Sequence, residues 1–317
     1  VLVPDDLATD LGREISVADW EVVLFDARLG PAQTGIDADA LVTFDTPVPV
    51  LSAYARTATR LRLVQALSAG VDAVVAAGFG EQVEICSGRG LHDVPVTEHA
   101  LALLLAAARA LPAAARAQRE HRWATELGGR QPLRDPQRFS TLIGAHVAIW
   151  GYGSIGRTLA DRLRLLGAHV TGVTRSGGEP ATVGTDGLSD LLPTLDALVL
   201  VLPSTAETHH VVDASILSAL PRRAWVVNVG RGSVIDESAL IAALDRGEIS
   251  GAALDVFATE PLPGSSPLWE HPGVLITPHA AGGRPIGAAA LIEDNLSRLA
   301  RGTQLRNRVP RRADVSG

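Results

Sequence analysis

The chain has 317 residues, 46% of them hydrophobic and 20% charged, and a formal net charge of −7. That profile belongs to a folded globular protein too long for one core, and it argues against nucleic acid or an anionic membrane as the main partner. Every basic residue other than histidine is arginine, and the single cysteine, Cys86, excludes an internal disulfide framework and any CxxC motif, which suits a reducing cytoplasm.

The amino-terminal stretch VLVPDDLATDLG has no basic segment leading into an apolar one, so no secretory leader is expected in it. The apolar runs EVVLF (21–25), ALVTF (40–44), LRLVQAL (61–67) and EQVEI (81–85) alternate with looser, helix-like segments. This rhythm predicts a small α/β unit with a mostly parallel sheet, and the proline-rich TPVPV (46–50) predicts a turn within it. ALALLLAAARAL (100–111) is the most apolar stretch but is far shorter than the ~20 residues a membrane span requires. It predicts a helix buried between domains or subunits.

A more regular series begins near residue 145, with strands expected at AHVAI (145–149), HVTGVT (169–174), ALVLVL (197–202), AWVVNV (224–229), GAALDV (251–256) and GVLIT (273–277). Helices are expected between them. In DESALIAALDRG (236–247), Asp236 suits the N-cap and Gly247 the C-terminal stop. Strand and helix alternating this often predict a doubly wound parallel sheet, whose ligands bind at the strands' carboxyl ends. Two long helical segments, 94–109 and 285–301, read as crossovers, so the first domain is expected to be discontinuous and completed by LRNRV (305–309).

VAIWGYGSIGRTLADRL (147–163) carries the glycine pattern of a dinucleotide loop after a strand and at the start of a helix. Gly151 would make the tight turn, Gly153 would admit a pyrophosphate and Gly156 would let helix pack on strand. The N–H groups around Ser154 and Ile155 would face the phosphates. The acid that grips the ribose of NAD is absent from the next strand end, which offers Thr174, Arg175 and Ser176. An arginine and a hydroxyl there can bind a 2′-phosphate, so NADP(H) is expected in preference to NAD(H).

Three more strand ends carry reactive side chains. Arg231 follows WVVNV between Gly230 and Gly232, Asp255 and Glu260 lie in ALDVFATEPLP (253–263), and His279 lies in LITPHAAGG (275–283). Hydride transfer to a ketone develops negative charge on oxygen, so histidine suits the proton donor and a carboxylate such as Glu260 suits its partner. Arg231 can clasp the carboxylate of a 2-oxo acid in a fork. The glycines beside it are expected to let the backbone approach nicotinamide and substrate. His209 and His210 lack a third ligand at metal spacing, so no metal is expected. His99, on an apolar helix, reads as a satisfied core or interface residue.

GYGSIG, VNVGRGSVIDESAL, GAALDVFATEPLP and TPHAAGG, in this order, resemble the D-isomer-specific 2-hydroxyacid dehydrogenase family over nearly the whole chain. The resemblance implies two doubly wound α/β domains. A Rossmann cofactor domain would span 93–284, and a flavodoxin-like, discontinuous substrate domain would span 1–92 and 285–317. It implies Arg231 as substrate binder, Glu260 as partner acid and His279 as acid/base, with the backbone of Ser68, Ala69 and Gly70 holding the substrate carboxylate. It implies that Asp255 contacts the nicotinamide carboxamide and that VLPSTAETHH (201–210), through Leu202, Pro203 and Thr208, lines the adenine side. Val229, Gly230, His279 and Gly282 complete the expected cofactor contacts. A cytoplasmic homodimer is implied, acting on a small 2-oxo acid, with glyoxylate or hydroxypyruvate leading. A phosphoglycerate- or phosphite-type dehydrogenase, or a non-catalytic nucleotide-sensing protein, is the alternative on the same scaffold.

Overall fold

The computed structural model describes residues 1–5, 7, 15–30, 38–132 and 134–310. The chain divides into two compact units, Val1–Asp93 with Gly282–Gly317, and Val94–Ala281.

Among the described residues, the first unit holds a parallel sheet of β1 (Leu2–Pro4), β2 (Val23–Phe25), β3 (Ala40–Thr43), β4 (Leu63–Ala66) and β5 (Glu84–Cys86). The order is β2-β1-β3-β4-β5, the flavodoxin-like arrangement. Side chains alternate between faces, so Val3, Ala40 and Val42 join one apolar cluster while Leu2 and Leu41 join the other. The first cluster is closed by Leu291, Ile292 and Leu296 of helix Ala288–Arg301, which is why the C-terminal helix belongs here. Buried Asn295 donates to Gln65 Oε1 at 2.6 Å and accepts from Arg306 N at 2.8 Å, tying the tail to β4. Arg308 forms an antiparallel bridge with Cys86. Burial pushes the Cys86 thiol up to about 12.

The second unit carries β6 (His146–Trp150), β7 (His169–Thr174), β8 (Thr182–Gly184), β9 (Ala197–Leu200), β10 (Trp225–Asn228), β11 (Gly251–Leu254) and β12 (Val274–Ile276). All pairs are parallel, in the order β12-β11-β10-β9-β6-β7-β8. All residues of β9, β10 and β11 are buried, as expected where helices cover both faces. Asp236 caps helix Glu237–Asp245 by accepting from Ala239 N at 3.0 Å, and Gly247 follows its end at φ 62°.

Several expectations are corrected. TPVPV opens a helix, Val48–Thr57, instead of a turn, because a first helical turn needs no proline N–H. The helix expected from 285 starts at Ala288, after Gly287 takes a left-handed φ of 85°. Of the apolar stretch at 100–111, residues 100–108 lie in helix Asp93–Ala108, whose Ala100, Leu103, Leu104 and Ala107 join the second unit's core, and Leu111 opens the next helix. Strands β1 and β8 lie outside the apolar runs singled out. No single helix among the described residues is long and apolar enough to cross a membrane, and helices Asp93–Ala108 and Leu111–Arg119 are bent by 67° at their junction.

Candidate active site

The glycine loop after β6 has the geometry its spacing implies. Gly151 sits at φ 102°, and a Cβ there would meet Val201 O at 2.4 Å. A Cβ on Gly156 would meet Gly151 O at 2.4 Å, so helix Ser154–Leu165 could not seat against the loop. A Cβ on Gly153 would enter open space, leaving room for a phosphate at the helix N-terminus. Residues Gly151–Gly156 thus fit a dinucleotide pyrophosphate.

On one side of this loop, β7 ends in a turn where Thr174 Oγ1 accepts from Gly177 N at 2.9 Å, with Arg175 and Ser176 exposed. The acid further along, Glu179, is held by Arg157 through two hydrogen bonds, which keep its carboxyl below the usual range. On the other side, the loop after β9 is folded by Thr208, whose hydroxyl donates to Pro203 O at 2.6 Å and accepts from Thr205 N at 2.9 Å. His209 and His210 stack on each other at 3.9 Å, and no cluster of three or more metal-ligating side chains occurs among the described residues.

β10, β11 and β12 are neighbours, so the loops at their carboxyl ends share one edge. Glu260 Oε2 meets His279 Nδ1 at 2.6 Å, and Glu260 Oε1 accepts from Phe257 N at 2.9 Å. Burial opposes ionisation of Glu260, but the bonds to His279 and Phe257 outweigh it and hold its carboxyl below the ordinary range. The bond to Glu260 raises the His279 imidazole above its ordinary value, against burial and the nearby charge of Arg231. Arg231 acts electrostatically on both partners and donates from Nη1 to Gly230 O at 2.9 Å. With Nδ1 bound to the carboxylate, Nε2 is the ring nitrogen left to serve a ligand.

The glycines flanking Arg231 have a different reason from the one expected. A Cβ on Gly230 would meet the Leu202 backbone at 2.7 Å, and one on Gly232 would strike Phe257 C at 1.8 Å. They let three strand-end loops pack against each other. Val229 and Gly230 are buried by this packing. Buried Asn228, missed in the sequence, shapes the same turn by accepting from Gly230 N at 3.0 Å and donating to Arg231 O at 2.9 Å. An asparagine closing an apolar strand was the available signal.

Asp255 anchors the neighbouring loop. It is fully buried, and Oδ1 accepts from Thr277 Oγ1 at 2.6 Å and Ala280 N at 2.8 Å, while Oδ2 accepts from Ala281 N at 3.0 Å. Its carboxylate thereby holds the loop that carries His279. Ser68, Ala69 and Gly70 form a bend after β4 in the first unit, where Ser68 O accepts from Gly88 N at 2.8 Å. Gly282 also lies in that unit.

Residues 101–281 match the family model described as D-isomer specific 2-hydroxyacid dehydrogenase, NAD binding domain. A glyoxylate/hydroxypyruvate reductase A of Salmonella paratyphi B is 32% identical over 289 residues, covering 86% of each chain. A D-3-phosphoglycerate dehydrogenase of Mycobacterium bovis is 36% identical over 258 residues, 80% of this chain but 44% of that protein, so the chain spans less than half of that relative. A crystal structure of a D-isomer specific 2-hydroxyacid dehydrogenase from Xanthobacter autotrophicus Py2, in complex with NADPH and MES, superposes with a TM-score of 0.77 at 30% identity, covering 99% of this chain and 100% of that one. With an NAD(P)-binding glycine loop, an imidazole–carboxylate pair on the same sheet edge and these likenesses across both units, the chain belongs to the D-isomer specific 2-hydroxyacid dehydrogenase family.

Proposed function

We propose that the protein is an NADP(H)-dependent reductase of small 2-oxo acids giving D-2-hydroxy acids, with glyoxylate and hydroxypyruvate as the leading substrates. The observation that carries this reading is the His279–Glu260 pair beside Arg231, beyond three adjacent strands. The cofactor, held at Gly151–Gly156 with Arg175 and Ser176 on its 2′-phosphate, supplies the hydride when bound. His279 Nε2–H donates the proton that the developing alkoxide needs, and Glu260 stabilises the imidazolium before transfer and orients the ring after it. Arg231 binds the substrate carboxylate and withdraws charge from the adjacent carbonyl. The main-chain N–H groups of Ser68, Ala69 and Gly70 are the further candidates for binding that carboxylate.

Preference for NADP(H) is supported by the exposed Arg175 and Ser176 and by the capture of Glu179 on Arg157, which takes the nearest acid of that loop out of competition. The NADPH-bound relative agrees with it. A homodimer in the cytoplasm fits the family, and exposed Leu111, Trp123 and Leu165 offer apolar surface for a second copy. Sedimentation of the purified chain tests the assembly.

A panel of 2-oxo acids, with D-3-phosphoglycerate as the oxidative arm, run with both cofactors at fixed pH, tests the whole reading. Turnover of glyoxylate or hydroxypyruvate with a higher kcat/KM for NADPH is the expected result. NADPH binding without turnover of any substrate would overturn the enzyme reading, and an NADH preference would overturn the cofactor assignment.

A further inference from the structure

Beneath the acid–base pair, a second polar chain connects the His279 loop to the long helix Asp93–Ala108. His99, on that helix, brings Nε2 to 2.9 Å from Thr277 Oγ1 and 3.2 Å from Asp255 Oδ1. The Thr277 hydroxyl has one proton, and at 2.6 Å it goes to Asp255 Oδ1. Thr277 therefore accepts from His99, and Nε2 of that ring carries the hydrogen. Asp255 in turn receives three consecutive main-chain N–H groups: His279 N on its carbonyl oxygen at 2.8 Å, and Ala280 N and Ala281 N on its carboxylate. These bonds hold His279 at a φ of 51°, a left-handed conformation that a residue with a side chain adopts only when its surroundings impose it.

We propose that His99 is a positioning residue for the reaction: through Thr277 and Asp255 it sets the backbone from which His279 reaches Glu260. The inference rests on the acid/base role proposed for His279. His99, one-fifth exposed, reaches the fully buried carboxylate through the Thr277 hydroxyl, its own Nε2 standing 3.2 Å from Asp255 Oδ1.

The test compares His99→Leu, which removes the donor, with His99→Gln, whose side-chain amide returns an N–H near the position of Nε2. Measured are kcat for the 2-oxo acid, the NADPH dissociation constant by fluorescence titration, and Tm. His99→Leu is expected to lower kcat about 10- to 100-fold by letting the reacting geometry drift, with the NADPH dissociation constant unchanged and most of kcat restored in His99→Gln. Thr277→Val breaks the same relay from the loop side and should lose a similar factor, and the double variant should be no worse than the poorer single one. Parent-like kcat in His99→Leu, a loss that tracks Tm and is not restored by glutamine, or losses that multiply in the double variant would each overturn the proposal. Should His99→Leu fail to fold, His99→Gln and Thr277→Val carry the comparison, and loss in Thr277→Val alone counts against the relay. His279→Ala is run alongside. If it stays active, the acid/base assignment is at fault; if it is inactive while His99→Leu is normal, only the positioning role fails.

Discussion

Replacing Glu260 by glutamine removes one charge and almost no volume, so it isolates what the carboxylate does to His279. In the parent, Glu260 Oε1 takes the Phe257 N–H and Oε2 takes the imidazole. A glutamine that keeps its oxygen on Phe257 turns its NH2 toward the ring, which then favours neutral imidazole with Nδ1 accepting. A charge-assisted hydrogen bond contributes about 1.5–3 kcal/mol. The side chains here are 49% and 34% exposed, so solvent screening reduces that to about 1–2 kcal/mol on the imidazolium. Such a loss corresponds to a factor of about 5 to 30, which is the expected fall in kcat for reduction at a pH where the parent is still protonated. The sign follows from the raised His279 and the lowered Glu260. Reduction needs the acid form, so parent activity persists above the ordinary histidine value of 6.5 and is lost at higher pH. In Glu260→Gln this alkaline limb moves down, and in the oxidative direction, which needs the base form, the activating limb moves down as well. The pair's contribution to stability is fully present between the ordinary values of 4.5 and 6.5; it is lost as pH rises through the His279 value in the fold or falls through that of Glu260. The difference in Tm between parent and variant should therefore be largest in that window. The assay is NADPH oxidation from about pH 5 to about pH 10, roughly two decades below neutrality and three above it, with saturating cofactor. An alkaline limb at the parent's position with kcat within twofold of the parent, a change well under the factor expected above, would refute the coupling.

Arg231→Lys keeps the charge but loses the planar fork, and kcat/KM for the 2-oxo acid should fall about 10- to 100-fold while NADPH binding holds; a parent-like KM would remove Arg231 from substrate binding. Arg175→Ala should lower kcat/KM for NADPH by about 10- to 100-fold and leave that for NADH nearly unchanged, and equal losses with both cofactors would point to a folding effect. Gly232→Ala drives a methyl into the Phe257 backbone at 1.8 Å, so it should destabilise the second unit by about 3 kcal/mol and abolish activity, as read by urea denaturation. Asp196→Asn tests a site far from the chemistry. This buried carboxylate accepts from Arg223 Nε at 2.6 Å, Arg134 Nη2 at 2.9 Å and His146 N at 2.8 Å. Its neutralisation should cost about 2–3 kcal/mol, discounted because both arginines are partly exposed, with kcat unchanged.

The sequence by itself determined those features whose cause is local. A glycine loop between strand and helix identifies itself, because tight turn, phosphate approach and helix packing each require a missing Cβ at a set spacing. Arginine, glutamate and histidine placed just past apolar runs were legible as a site, because parallel sheets present ligands at those ends. Tertiary structure decided everything that depends on what lies opposite. The same two glycines beside Arg231 are equally consistent with an approaching cofactor or an approaching backbone, and only the positions of Leu202 and Phe257 show that it is backbone. Asp255 carries the same side chain whether it faces a ligand or anchors a loop, and its burial under Ala280, Ala281 and Thr277 decides for the loop. His99 and Thr277 are 178 residues apart, so no periodicity within either segment could pair them. Hydrogen bonds across such distances follow from the sheet order that brings β12 to the edge beside β11, and that order is set by packing both faces of the sheet at once.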